Sequence, residues 1–316
     1  MMKKTLLAAI LSLTVSSMLA QESKEVYSFL RLPVSAHVAA VGGDNITIVE
    51  DDPTVIFHNP ALINNVSPMS INLNFMTYMQ GTNTASASFI KTAGQRASWG
   101  ASAQYMAYGA IKEMTVSGQQ TGTFSPKDIA LAGTFAYMLG NQISGGITAR
   151  FISSTIASYS SAAVAFDLGI NYYHEEKGWS ISAVVKNLGG QIKAYDEDFE
   201  RIPLDLQLGV TRSLPSSPLT LHATMSRLHN WDISFLKHLA VGADVYLGET
   251  VYLAAGYNFR RASEMKISEA DDKGGSHGAG LSLGAGVQLQ RFKLQLAYAK
   301  YHVSAYSLLV NATYSL

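Results

Sequence analysis

From Met69 to Leu316 apolar and polar residues alternate with a period of two, the mark of strands whose two faces meet different surroundings. Between Ala162 and Tyr173, Val164, Phe166, Leu168, Ile170 and Tyr172 share one parity, while Ala163, Ala165, Asp167, Gly169 and Asn171 share the other. The stretch 203–213 sets Leu204, Leu206, Leu208 and Val210 against Asp205, Gln207, Gly209 and Thr211. At the end of the chain Tyr306, Leu308, Val310, Ala312 and Tyr314 oppose Ser307, Asn311, Thr313 and Ser315, and Leu309 alone breaks the second set. Fourteen such stretches can be marked, at roughly 69–79, 82–91, 97–108, 127–139, 142–153, 160–173, 178–187, 203–213, 218–227, 238–247, 250–259, 278–289, 292–301 and 304–316. Most come near the 9–11 residues a tilted strand needs to cross a bilayer. An even count suits a single-chain barrel with both ends on one side. The pattern predicts an all-β fold, a 14-stranded antiparallel transmembrane β-barrel over residues 69–316.

The connections support this independently. Those after even strands are short (92–96, 140–141, 174–177, 214–217, 248–249, 290–291), and several after odd strands are long (109–126, 188–202, 228–237, 260–277). Short periplasmic turns alternating with longer external loops are the expected asymmetry of such barrels. Charge gathers in the long loops, with Asp196, Glu197, Asp198, Glu200 and Arg201 in one and Arg260, Arg261, Glu264, Lys266, Glu269, Asp271, Asp272 and Lys273 in another. Inside strands, Arg150, Asp167, Asp205 and Asp244 share parity with Gly, Thr, Asn or Gln, which predicts that they face the lumen. On the lipid face an Arg or Lys near mid-bilayer would cost about 2–4 kcal/mol. Lys91 and Lys300 have lipid-face parity but stand at strand ends, where a long side chain can snorkel to the interface.

Two segments precede the strands. Residues 1–20 read as a cleavable export signal, with Lys3 and Lys4, an apolar run from Leu6 to Val15, and Ala20 at the cut. Residues 21–68 lack strand alternation yet are rich in Val, Leu, Ile and Phe, too apolar for a disordered leader. A plug or hatch in the lumen is expected. Together these segments place the chain in the outer membrane, with a periplasmic N-terminus.

Composition narrows the field. Charged residues make up only 15% of the 316, against about 25% in ordinary soluble domains. Formal net charge is zero, so no global field draws in nucleic acid. The absence of cysteine excludes disulfides and thiolate chemistry. A secreted β-sandwich would also alternate, but it would carry a wet, charged face. Here the polar face is mostly Ser, Gly, Ala and Thr.

No enzyme, cofactor or metal site is expected. The eight histidines form no HExxH pair, and no GxSxG elbow occurs, although a Ser/His/Asp triad is a matter of geometry that spacing does not give. His222, His229 and Asp232 could be imagined around a metal; histidines in loops at a membrane surface are the expectation. Gly278, Gly280, Gly284 and Gly286 mimic a nucleotide loop, but they share one parity and no Walker lysine follows, so lumen packing explains them better.

The run from Asp52 to Leu62, DPTVIFHNPAL, resembles the F-x-N-P-A motif that precedes the barrel in FadL-like proteins. Within that group, FLRLPVSAH at 29–37 with Gly42-Gly43, Gly122-Thr123-Phe124, Lys186-Asn187-Leu188-Gly189, Ile202-Pro203 and Gly256-Tyr257-Asn258 resemble the PorV–PorQ barrels of the type IX secretion system, on the PorQ side. The resemblance implies a 14-stranded barrel with an N-terminal hatch, in which Asn59, Pro60 and Ala61 form the hatch motif. It also implies a non-catalytic role: holding a PorZ-type surface protein, with a PorU-type sortase and a PorV-type barrel, in a complex that attaches exported cargo to surface lipopolysaccharide. The alternative is a FadL-like passive transporter of hydrophobic small molecules. The small and polar lumen residues favour tight plugging; a few apolar patches would suffice for a conduit.

Overall fold

The computed structural model describes residues 25–316 apart from 80, 116, 249, 266–276 and 304, so the predicted export signal lies outside the described residues. Sixteen strands are formed: β1 (Ser70–Met79), β2 (Thr82–Ala93), β3 (Ala97–Ala107), β4 (Ile111–Met114), β5 (Gln120–Phe124), β6 (Lys127–Met138), β7 (Ile143–Ile156), β8 (Tyr159–His174), β9 (Trp179–Lys193), β10 (Asp205–Ser213), β11 (Leu219–Met225), β12 (Leu239–Leu247), β13 (Val251–Asn258), β14 (Leu281–Leu289), β15 (Phe292–His302) and β16 (Ala305–Ser315). Fourteen of them close an antiparallel barrel, sealed where β1 pairs with β16 from Ser70↔Ser315 to Met76↔Leu309. The other two, β4 and β5, form a separate hairpin inside the long loop 109–126.

Alternation becomes inside and outside. Ile147, Leu168, Leu208, Leu253 and Leu296 stand exposed on the outer wall, while Thr148, Asp167, Gln207, Ala254 and Gln295 are buried within. Closure pairs each of the fourteen strands on both sides over most of its length, which is how a sheet can enter hydrocarbon with few unpaired backbone groups. Leu168 is 43% exposed on the outer wall, the face that a barrel of this kind turns to lipid. Leu168→Arg or Leu206→Arg is therefore expected to impair assembly, by about 2–4 kcal/mol near mid-bilayer. Heat-modifiability on gels measures this, and a normal barrel at wild-type level would refute the facing assigned here.

The wall is uneven. Strands β6 to β9 have 12, 14, 16 and 15 residues, whereas β10 to β14 have only 9, 7, 9, 8 and 9. Sequence alternation ends β9 near residue 187, but the strand runs on to Lys193, so the first part of the loop expected at 188–202 is strand. A bulge explains the difference. Between Leu168↔Val185 and Phe166↔Leu188, β9 spends two residues where β8 spends one. The extra residue inverts the parity that follows and hides the continuing strand from a period-two pattern. Likewise β14 starts at Leu281 rather than 278, because residues 277–280 form a 3₁₀ turn.

Residues 25–68 fold inside the barrel. Three 3₁₀ turns, Ser28–Arg31, Pro53–Phe57 and Pro60–Asn65, and one short helix α1 (Ala36–Ala40) carry most of their apolar side chains into three buried clusters shared with the wall. Phe29 packs with Met106 and Ile152, Val38 with Tyr252 and Leu309, and Ile56 and Ile63 with Ile90 and Ala136.

Candidate functional site

The hatch can approach the wall closely because the wall is smooth where they meet. Every residue of α1 is small or buried, and a Cβ on Gly242 or Gly256 would run into Val41, just after the helix, while one on Gly284 would meet the Ala40 methyl at 2.5 Å. Gly42 and Gly43, at φ 114° and 97°, then turn the chain out of the helix in a region that disfavours side chains. Gly284 and Gly286 of β14, and Gly280 in the turn before it, lack room for a Cβ and fill a packing role, whereas Gly278 of that turn faces open space.

The hatch motif seats the next turn. Asn59 caps it, its Oδ1 accepting the Ala61 N–H at 3.0 Å, while its Nδ2 donates to the Ile46 carbonyl and to Ser182 of β9 at 3.0 and 3.1 Å. Pro60 follows at the first turn position, and the Ala61 carbonyl accepts from Ser144 of β7 at 2.9 Å. On the wall side, a side chain at Gly146 would collide with the Pro60 carbonyl, and one at Gly169 with the Asn59 amide. Asp52 caps the preceding turn through the Thr54 N–H at 2.9 Å and accepts from Asn311 of β16 at 3.0 Å. Burial pushes its carboxyl above the ordinary range, against the pull of Lys293.

A charged chain crosses from hatch to wall. His37 of α1 is fully buried, with Nδ1 3.1 Å from Glu50 Oε2 and Nε2 3.0 Å from Asp244 Oδ2. Both ring nitrogens face carboxylates, so both carry protons. Burial pulls the imidazole towards neutrality, but Asp244 and Glu50 outweigh it and raise its pKa to about 10. Burial would likewise raise Glu50, yet Lys293, 2.5 Å away, and His37 hold it well below the usual carboxylate range. The ring of His37 stacks on Tyr252 at 4.3 Å. Asp244 Oδ2 also meets His222 Nε2 at 2.7 Å, and His222 Nδ1 meets Thr211 Oγ1 at 2.7 Å, which in turn bonds Thr47 of the hatch at 2.6 Å.

His222 is therefore not a loop histidine at the membrane surface, as its sequence setting suggests, but a lumen residue of β11. Asp244, His222 and Thr211 come in the order of a relay triad. The threonine hydroxyl is already engaged with Thr47, and the set reads as a fastening between hatch and wall. His58 is also inside the hatch; burial, and then the nearby Lys186 charge, drive its pKa well below normal, and its Nε2 accepts the Ser35 N–H at 3.2 Å. Among the described residues no group of three or more His, Cys, Asp or Glu is arranged to hold a metal.

The remaining lumen charges sit at the bulge. Arg150 of β7 donates to Asp167 Oδ2 of β8 at 2.6 Å and to Asn187 Oδ1 at 2.5 Å. Asp167 Oδ1 accepts the Asn187 backbone N–H at 2.7 Å, and Asn187 Nδ2 donates to the Pro203 carbonyl at 2.9 Å. Asn187 is held at φ 58°, a conformation that its short polar side chain tolerates better than most. Asp205 accepts from the Arg227 N–H at 2.5 Å and from Gln207 at 2.8 Å. Beyond Asp205↔Lys186 the pairing of β10 with β9 stops, while β9 continues along β8 to Ala162↔Lys193. The uncovered edge of β9 borders a cavity of about 530 Å³, bounded by Leu188, Gly190, Phe199, Ile202, Leu204 and His229 among others. Sequence parity identifies Arg150 and Asp167 as inward charges. What it cannot reveal is that they meet Asn187 at the bulge, because that partner lies 37 residues from Arg150 in the chain.

No family model matches the chain, and no curated protein sequence matches it. Solved structures do. The Pseudomonas putida toluene transporter TodX superposes with a TM-score of 0.59 at 13% identity, over 89% of this chain and 97% of that one. The CymD monoaromatic hydrocarbon channel gives 0.57 at 12%, over 90% and 98%. A Pseudomonas aeruginosa FadL homologue gives 0.54 at 11%, over 90% and 99%. At such identities the likeness is one of architecture, and the chain has the closed fourteen-stranded antiparallel fold of FadL-like barrels.

Proposed function

We propose that this protein is an outer-membrane barrel that passes small hydrophobic molecules between the long-loop side of the membrane and the barrel wall, without catalysis. The observation that carries this reading is the cavity beside the free edge of β9, about 530 Å³ and partly walled by Leu188, Phe199, Ile202 and Leu204. That volume lies within the range of small-molecule sites. The lumen itself is filled by the hatch, so a solute entering this cavity would leave sideways rather than along the barrel axis. Solved structures of the same fold that are described as a toluene transporter and a monoaromatic hydrocarbon channel support the reading. The test is uptake of radiolabelled toluene by cells producing the protein, compared with cells lacking it. Gly190 lines the cavity and a Cβ there meets nothing within 4 Å, so Gly190→Trp should fill the space without disturbing the wall. Uptake should fall to the level of cells lacking the protein. Unchanged uptake in the tryptophan variant would remove this cavity from the account.

A second reading rests on different features. The hatch packed in the lumen, the motifs that resemble PorQ-like barrels and the exposed Phe199, Trp231, Phe235 and Leu236 in long loops support a docking role, in which the barrel holds a PorZ-type surface protein of a type IX secretion system together with PorU- and PorV-type partners. Stoichiometric recovery of a large surface protein in a mild-detergent pull-down would favour this role. A lone barrel carrying an apolar ligand would favour transport.

A further inference from the structure

At the long-loop end of the lumen four arginines surround one cavity. Arg31 of the hatch, Arg227 after β11, and Arg260 and Arg261 in the short helix α2 (Phe259–Glu264) line about 210 Å³, together with Asn258 and Tyr301. Arg260 and Arg261 read as loop charges in the sequence, yet all four side chains are turned inward. Arg261 is 6% exposed, and the side chains of Arg260, Arg31 and Arg227 are 12%, 18% and 18% exposed.

Among the described residues three carboxylates stand near them. Glu25 takes up Arg31 at 2.6 Å. Asp44 stands 3.5 Å from Arg260, and its Oδ2 also accepts from Asn258 at 2.9 Å. Glu264, half exposed, is 3.9 Å from both Arg227 and Arg260. Arg261 donates to the carbonyls of Ala279, Gly280 and Leu281, and its guanidinium lies 4.7 Å over the Tyr301 ring. The Nη1 group of Arg260 is buried and finds no acceptor of hydrogen-bonding geometry among the described residues, whereas Arg261 has the Tyr301 hydroxyl beside it. Burial, and then the like charges of Arg260 and Arg31, pull Arg227 below the usual arginine range against the opposing carboxylates of Glu264 and Asp44.

Desolvated guanidinium groups with spare donors are costly unless an acceptor with several oxygens completes them. A planar fork of donors matches phosphate oxygens two at a time. The cavity is too small for a whole lipid or nucleotide and large enough for one tetrahedral anion with water. We propose that this arginine-lined cavity binds a phosphate group, with Arg260 and Arg261 as its principal donors and Asp44 as the carboxylate that limits its affinity. The group could arrive on a lipid headgroup or as a soluble phosphate, and the two sources make the same contacts.

Calorimetric titration of the full-length protein in non-ionic detergent, at fixed ionic strength, tests this with sodium phosphate and then with phosphatidic acid in the same micelles. Saturable one-site phosphate binding is expected, with no response to sodium chloride. Arg260→Gln should weaken it at least tenfold, and Asp44→Asn should tighten it severalfold by removing the competing carboxylate. Because Asp44→Asn predicts a gain, it decides the matter even if the arginine variant fails to assemble. Phosphatidic acid binding more than tenfold tighter than inorganic phosphate assigns the site to a lipid headgroup; equal or weaker binding assigns it to a soluble phosphate. Absence of saturable phosphate binding by the wild-type protein, or wild-type affinity in both variants, overturns the proposal.

Discussion

Asp244→Ala is expected to unseat the hatch while leaving the barrel wall intact. It leaves the fully buried His37 with one carboxylate partner instead of two and removes the acceptor for His222. Breaking a buried pair by deleting one member commonly costs about 3–5 kcal/mol, since the remaining charge stays desolvated. Hydrogen exchange resolved along the chain should show faster exchange over residues 36–50 with little change in β1–β3; protection equal to wild type would show that the fastening carries no stability. The same link gives the wild-type protein a pH dependence. A histidine whose pKa rises on folding from 6.5 to about 10 contributes stability that is fully present below pH 6.5 and is lost as pH rises through 10. That span corresponds to about 5 kcal/mol for one group. Glu50 works in the opposite direction: its lowered pKa contributes stability above its ordinary value of 4.5, which is lost only in strong acid. Hatch protection should therefore hold from about pH 4.5 to 6.5 and decline through the alkaline range, and in Asp244→Ala the alkaline decline should be smaller and complete at a lower pH.

The second large effect concerns the lumen as a whole. Deleting residues 25–64 is expected to convert a sealed barrel into a pore, because the hatch side chains Phe29, Val38, Ile56, Leu62 and Ile63 fill the space between the walls. What remains is a lumen lined by Asn72, Thr148, Asp167, Gln295 and Asn311, polar enough to hold water. Planar-bilayer recordings should show stable open channels for the deletion and only rare openings for the full chain. Equal conductance of the two would mean that ions pass around the hatch. Loss of the barrel itself, judged by heat-modifiability, would instead make the hatch part of the folding core; its shared clusters with Met106, Ile90 and Leu309 make that outcome a direct measure of how far wall and hatch fold together.

Transport and docking place different demands on these same parts. A sideways route needs the break beside β9 and no movement of the hatch, so Asp244→Ala should leave toluene uptake unchanged while Gly190→Trp abolishes it. A docking role needs the loop surface and is indifferent to both. The two substitutions therefore separate the wall cavity from the fastening in one set of strains.

The sequence alone determined the barrel, because a period of two is a local property: each strand displays its facing within a dozen residues, as Leu168 against Asp167 and Leu208 against Gln207. The motif at Asn59, Pro60 and Ala61 was visible as a resemblance to FadL-like proteins, and the capping bond from the Ala61 N–H to Asn59 is local to it. The rest depends on residues far apart in the chain. The fastening joins His37 to Asp244 across 207 positions, and the break in the wall joins Arg150 and Asp167 to Asn187 through a bulge that inverts the very parity used to find strands. Arg260 and Arg261 look like any charged loop pair until the fold closes Arg31 and Arg227 around them. Periodicity records which face of a strand meets lipid; only closure of the barrel around its own N-terminal segment decides which buried charges meet one another.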